Sequence, residues 1–211
     1  MVPGCPDTLV ENNVRSSVIE FCQRSNAYQA ELDPVTTVGN IFEYDLEPPS
    51  GTTVQKILWV THLGKDVEPI TTTLLEQRIP KWREGNGVPE YYVQLTSSTF
   101  YLVPIPTTTS VSSTIVRAVL RPTHTSTACD DDVMNDYRDT IVNGALFRLL
   151  RMPNKEWTDI TGAGVYGQLF TQGIEMAERR ARNADTGVLR SVKYGGPGRV
   201  SSTRRRYGRG G

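Results

Sequence analysis

The spacing of the apolar residues changes twice along this chain, from helical to strand-like and back, and this limits the fold more than any other feature. In residues 8–32, one series recurs at steps of four, four and three: Val10, Val14, Val18 and Phe21. This spacing predicts an amphipathic helix. Thr8 and Glu11 have the spacing of a capping box, so we expect them to cap its start. Pro34 predicts its end.

From about residue 35 to residue 127 the pattern is that of strands. Phe42, Tyr44 and Leu46 alternate with acidic residues, as in a half-buried strand. Five runs of this kind can be recognised: 42–46, 54–62, 91–95, 100–103 and 115–120. Turn residues and prolines separate them, which is typical of an antiparallel β module, here of roughly five or six strands in a barrel-like or sandwich-like arrangement.

Helical spacing returns after Cys129. One apolar series advances in steps of four: Val133, Tyr137, Ile141, Ala145 and Leu149. A last helix is predicted over residues 163–183, with one stripe formed by Tyr166, Phe170, Gly173 and Ala177, and with Val165 and Leu169 beside it. The chain is therefore expected to be α+β. Residues 8–33 and 128–186 would form a helical bundle domain, residues 35–127 an inserted β domain and residues 187–211 an extended arm.

Charge is divided unevenly between the body and the arm of this 211-residue chain. All 23 acidic residues lie in residues 1–186 against 16 basic ones, a net charge of −7. The arm has seven cations, seven glycines and no acidic residue, so its net charge is +7. Such a composition buries too little apolar surface to offset the entropy of ordering. We expect the arm to be disordered in the free monomer and to become ordered on a partner.

Composition leaves three interpretations of the arm open, which are a solvated tail without a function and two kinds of partner that it suits equally. Arginines interleaved with tyrosine and glycine are typical of segments that neutralise and stack on nucleic acid. Arginine also forms bidentate pairs with the carboxylates of an acidic protein groove. The residues that would make these contacts are Arg190, Lys193, Tyr194, Arg199, Arg204, Arg205, Arg206, Tyr207 and Arg209.

Candidate catalytic groups are few. His62 and His124 have no cysteine, serine or carboxylate partner at a recognisable spacing, so we expect packing or surface roles for them. Cys5, Cys22 and Cys129 are odd in number and far apart, which argues against a disulfide framework. The N-terminus lacks a basic start and an apolar segment, so we expect no signal peptide, and no apolar run approaches the length of a membrane span.

Two motifs invite a ligand interpretation. The run from Gly162 to Gly167 matches G-x-G-x-x-G, with Asp185 at 18 residues beyond it. That fingerprint needs a preceding strand, whereas a helix is predicted here, so we expect close helix packing and no dinucleotide. Asp130, Asp131 and Asp132 are adjacent and do not alternate as metal-loop ligands do. They are expected to cap a helix, and we predict neither a metal nor a cofactor.

The overall layout resembles the head-to-tail adaptor proteins of short-tailed phages, the tail tubular protein A family. The segments that support the resemblance are 20–22, 44–52, Trp82, 89–92, 141–150, 152–157 and the helix with Tyr166, Phe170 and Gly173. The resemblance covers about residues 8–185 and leaves the arm outside it.

The resemblance implies a non-enzymatic ring subunit, commonly in twelve copies, that joins the portal protein to the tail nozzle protein. The ring would lie at the head-to-tail junction of the virion, after assembly in the host cytoplasm, and would continue the channel for DNA ejection. The helical domain would face the portal, the β domain would face the tail, and the arm would bind the portal. DNA would pass the acidic body without specific binding, because basic linings bind phosphate. The alternative function is a nucleic-acid-binding module that uses its arm.

Overall fold

The computed structural model describes residues 4–183. This part of the chain contains four helices, which are α1 (Asp7–Ser25), α2 (Thr72–Arg78), α3 (Asp131–Leu150) and α4 (Ile160–Asn183). It also contains ten strands, which are β1 (Gln29–Glu31), β2 (Val35–Thr37), β3 (Glu43–Asp45), β4 (Thr52–His62), β5 (Lys65–Pro69), β6 (Asn86–Gly87), β7 (Tyr91–Gln94), β8 (Thr99–Val103), β9 (Ile105–Pro106) and β10 (Ser110–Pro122).

Helix α1 is shorter than predicted and is capped differently. Its N-cap is Pro6, with an extended backbone and no side-chain cap, so the predicted capping box of Thr8 and Glu11 is wrong. At the other end Asn26 takes the left-handed conformation (φ 52°), and its N–H donates to the carbonyl of Cys22 at 3.1 Å. Asparagine tolerates this conformation, so the helix stops at Ser25, seven residues before the predicted end.

The main sheet has the strand order β1-β10-β4-β5-β7-β8-β3, with β2 paired to β10 outside this path. The five predicted strands are confirmed as β3, β4, β7, β8 and β10. The helices and the curled sheet together form an α+β fold, as predicted. The prediction of a wholly antiparallel module is wrong in one respect, because β5 pairs with β7 and β6 with β9 in parallel. Helix α2 separates β5 from β7 along the chain, which leaves room for a parallel connection.

The two longest strands connect the helices to the opposite end of the sheet. Thr52 of β4 pairs with Pro122 of β10 close to the helices, and His62 pairs with Thr114 at the other end. At about 3.3 Å per residue, the ends of β4 are roughly 33 Å apart. The protein therefore presents a helical end and, well away from it, an end made of loops.

The helices and the sheet share one hydrophobic core. Phe21 and Cys22 of α1 are fully buried with Val54 and Leu120 of the sheet and with Ile141 of α3. A second, smaller core lies under α2 and consists of Leu75, Trp82, Val93 and Val103. No helix within residues 4–183 has the combination of length and apolar character that crossing a bilayer requires.

Helices α3 and α4 pack closely through glycines. A Cβ atom added to Gly144 would lie 2.7 Å from Phe170, and one added to Gly173 would lie 2.4 Å from Thr140. Both distances are too short for a normal contact, so the two helices approach at these points only because the side chains are missing.

Candidate assembly interfaces

The predicted partner-binding residues all lie in the arm, outside the described residues. The described part of the chain ends at Asn183 of α4, and near it the Gln29 side chain of β1 donates to the carbonyl of Ala181 at 3.3 Å. Arg180 lies in the same region and pairs with Asp136 of α3 at 2.8 Å. The last described turn of α4 is therefore held against both β1 and α3.

Helix α4 has two apolar faces. Its inner face (Ala163, Phe170, Ile174 and Ala177) is buried. Its outer face (Val165, Leu169 and Met176) lies about 130° around the helix at 3.6 residues per turn. These three side chains are 55%, 43% and 68% exposed, respectively. Val165 and Leu169, predicted to lie beside the stripe of Tyr166, Phe170, Gly173 and Ala177, therefore belong to a largely exposed face.

A surface of this kind needs an explanation. An amphipathic helix at the surface of a monomer normally has one apolar face, directed to the core. A second, exposed apolar face is a candidate site of contact with another molecule. The spacing of Val165, Leu169 and Met176, at steps of four and seven, was visible in the sequence as a separate stripe.

The first half of α1 lines an apolar groove. The groove is about 520 Å³ in volume and lies between α1, the segment before α3, and α3 itself. Its apolar lining is Val10, Val14, Val18, Pro122, Ala128, Cys129 and Met134. Glu11 and Arg15 are its charged members. Only the second half of the predicted α1 stripe, from Val18 onward, is buried in the core, while Val10 and Val14 remain half-buried.

The loop end of the sheet is a third apolar surface. Its exposed side chains are Val38, Ile41, Leu63 and Val111. Leu63 stands at the β4–β5 turn with φ 51°, and its N–H donates to the carbonyl of Ser113 at 2.8 Å. This bond connects the turn to β10, so Leu63 and Val111 belong to the same end of the molecule.

Groups that could act as nucleophiles or bases are arranged for packing. His62 is buried, its Nδ1 atom lies 2.9 Å from Thr114 Oγ1, and burial lowers its pKa. Burial raises the pKa of Cys22 to about 12 and that of Cys129 to about 11. Thiols with such pKa values contain almost no thiolate at neutral pH, which makes them poor nucleophiles. His124 is exposed, as expected for a surface residue.

The two ligand-like motifs have structural roles. The G-x-G-x-x-G run lies inside α4, where the Asp159 carboxylate accepts from the N–H of Gly162 at 2.9 Å and Gly167 faces Phe147. Asp130 is the N-cap of α3 and accepts from the N–H of Asp132 at 3.0 Å, as predicted. Within residues 4–183, no three histidine, cysteine or acidic side chains are grouped so that they could hold a metal ion.

Comparison with known proteins bears on what these surfaces serve. The family model described as SU10 adaptor protein matches residues 6–197, which is most of the chain. The chain belongs to this family. No curated protein gave a significant match. SU10 adaptors are phage head–tail adaptor proteins, so the chain is a structural component of a phage virion, and the family implies a non-enzymatic role.

Membership of the SU10 adaptor family gives the apolar surfaces a context. A virion adaptor contacts other virion proteins. The outer face of α4 and the α1 groove both lie at the helical end, whereas Leu63 and Val111 lie at the loop end. An SU10 adaptor with this fold therefore has unpartnered apolar surface at both ends.

Proposed function

We propose that this SU10 adaptor is a ring subunit, in twelve copies, that joins the portal protein to the tail nozzle of a short-tailed phage. The observation that supports this most directly is the exposed outer face of α4. A closed ring of identical subunits needs two different complementary surfaces on each copy, one for each neighbour. The outer face of α4 is a ridge and the α1 groove is a hollow, so they supply such a pair.

The two ends of the molecule would then have different partners. The helical end would face the portal, at the head-to-tail junction. The loop end, with Leu63 and Val111 exposed, would contact the nozzle. A ring assembled in the host cytoplasm would then contact both the portal and the nozzle without a change of fold, as is usual for pre-organised interfaces.

The arm would bind the portal through its arginines, lysine and tyrosines. Exposed ion pairs are each worth only about 0–1 kcal/mol. A ring of tethered arms, however, raises the avidity far above the affinity of one arm. DNA would pass through the ring without specific binding, because the net charge of residues 1–186 is −7 and like charges repel the phosphates.

Mixing the purified protein with portal tests this proposal. Mass photometry of the mixture should show a complex heavier than the portal by a ring of subunits. Replacing Arg204, Arg205, Arg206 and Arg209 by Gln should weaken this complex at least tenfold. A matched variant that replaces the exposed body cations Lys56, Lys65, Arg78 and Lys81 by Gln should leave it intact.

The same variants distinguish the alternative. If the arm instead serves a nucleic-acid-binding module, neutralising its arginines will abolish binding to DNA or RNA while assembly on the portal survives. Absence of any complex between the wild-type protein and portal would contradict the proposal outright.

A further inference from the structure

The main sheet has an open seam between β2 and β3. Among the described strands, β3 stands last in the strand order and pairs with β8, while β2 pairs with β10. Residues on both sides of this gap, 33–38 and 41–47, line a groove of about 470 Å³, which we call the seam. The free edges of strands present unpaired backbone groups, and an extended segment can add to them as a further strand.

The seam has a strongly negative lining. Four exposed carboxylates line it, those of Asp33, Glu43, Asp45 and Glu47, and its lining residues include no lysine or arginine. Within residues 4–183, none of the four forms an ion pair. A groove with this charge selects an extended segment that is rich in cations.

The last described turn of α4 lies close to the strand that leads into this groove. The Gln29 side chain holds the carbonyl of Ala181 near the end of α4, and Gln29 is the first residue of β1. Asp33 follows four residues later, which is at most roughly 14 Å along an extended chain. The arm begins four residues after Asn183, so its first cations can reach the seam.

We infer that the seam binds the basic arm of the same chain before the portal does. The arm's seven cations complement the four carboxylates, and its seven glycines allow a close approach to the strand edges. Because the arm is tethered, its effective concentration at the seam is in the millimolar range. Each pair is weak, so the contact is reversible and the portal can displace it. The binding of the arm to the seam involves one chain only, whereas its displacement by the portal rests on the proposed function.

Zero-length cross-linking of the full chain tests it. Lys193 is the only lysine of the arm. With carbodiimide at low salt, Lys193 should cross-link to the seam carboxylates in preference to other body carboxylates. The yield should fall at least threefold in 0.5 M NaCl, where the Debye length is only about 4 Å. Cross-links spread over all exposed body carboxylates would overturn the inference.

A matched pair of variants sharpens the test. Replacing Asp45 by Asn and Glu47 by Gln should lower the cross-links from Lys193 to Asp33 and Glu43 at least twofold. Glu68 and Glu76 are exposed and lie outside the seam, so replacing both by Gln should leave the yield of these cross-links unchanged. In a mixture of isotopically light and heavy protein, the cross-links should join residues of one chain. Mixed pairs would overturn the assignment to the same chain.

A failure of the proposed adaptor function would give a different experimental result from a failure of the seam inference. The Asp45→Asn, Glu47→Gln variant should still bind the portal at least as tightly as the wild type, because an internal competitor has been weakened. If this variant remains folded but no longer binds the portal, the inference that the seam only competes with the portal for the arm is contradicted. Wild-type protein that cross-links at the seam but never binds portal would refute the proposed function and leave this inference standing.

Discussion

Helix α4 has an inner face that packs against the rest of the body and an outer face that is exposed to solvent. Phe170 of the inner face is 2% exposed, whereas its sequence neighbour Leu169, of the outer face, is 43% exposed. Both are large apolar residues, so their residue types alone do not indicate which of the two is buried. The comparison shows that one helix can have two apolar faces with different roles: the inner face holds the fold together, and the outer face, which we propose as a ring contact, remains exposed.

The largest expected effect comes from truncating these two neighbours separately. Phe170→Ala should lower the free energy of unfolding by about 3–5 kcal/mol, because it leaves a cavity where the Phe170 ring packs against Gly144. Leu169→Ala should change it by less than about 1 kcal/mol, since much of that side chain already contacts water. Urea denaturation of both variants measures the difference. Equal losses would mean that the two faces are not distinct.

Glycines on α4 give a second pair, of intermediate size. Gly173→Ala places a Cβ 2.4 Å from Thr140 Oγ1, so it should destabilise the protein by about 1–3 kcal/mol. Gly164→Ala meets nothing within 4 Å, and it should stabilise the helix by about 0.5–1 kcal/mol. Thermal unfolding should show shifts of opposite sign. A Gly173→Ala variant as stable as the wild type would argue against the close α3–α4 contact, and a destabilised Gly164→Ala variant would argue against open space at Gly164.

The smallest effect concerns His62, a buried group in the sheet. Burial lowers its pKa in the folded state, so the neutral form is favoured there. As the pH falls below about 6.5, the unfolded chain gains a proton that the folded chain resists, and stability is lost. Lowering the pH from 7.5 to 5.5 should therefore reduce the free energy of unfolding through this group.

Urea denaturation at these two pH values checks the His62 prediction. His62→Gln should remove this part of the pH dependence, whatever its effect on stability at pH 7.5. His124→Gln, which removes a histidine at an exposed position, is the matched control. An identical pH dependence in wild type and His62→Gln would contradict the account of His62.

Much of the fold could be predicted, because its long elements have strong local patterns. The five long strand patterns and helices α3 and α4 follow directly from the spacing of apolar residues. Strand β1 could not be predicted, since its formation depends on pairing with β10 about 90 residues later, as in Gln29↔Val119. Helix α1 was predicted too long for the same reason, because residues 29–31 have no local signal that separates sheet from helix.

The candidate interfaces could be predicted only in part from the sequence. The stripe of Val165, Leu169 and Met176 was recognisable, but its exposure depends on how α4 packs on α3. The seam joins residues 33–38 to residues 41–47 across an open edge of the curled sheet, and local patterns do not show which edges stay open. The prediction for the arm rests on composition alone, since its charge and glycine content are extreme, and it lies outside the described residues.

The central claim is that the outer face of α4 is a contact between copies in the ring, and one measurement tests it most directly. A Leu169→Glu, Met176→Glu variant should keep the wild-type free energy of unfolding within about 1 kcal/mol, because both side chains are exposed. Mass photometry with purified portal should nevertheless show ring formation reduced at least tenfold. The matched Leu63→Glu, Val111→Glu variant, at the loop end, should form the ring normally. A complete ring of the Leu169→Glu, Met176→Glu variant on the portal would contradict the account.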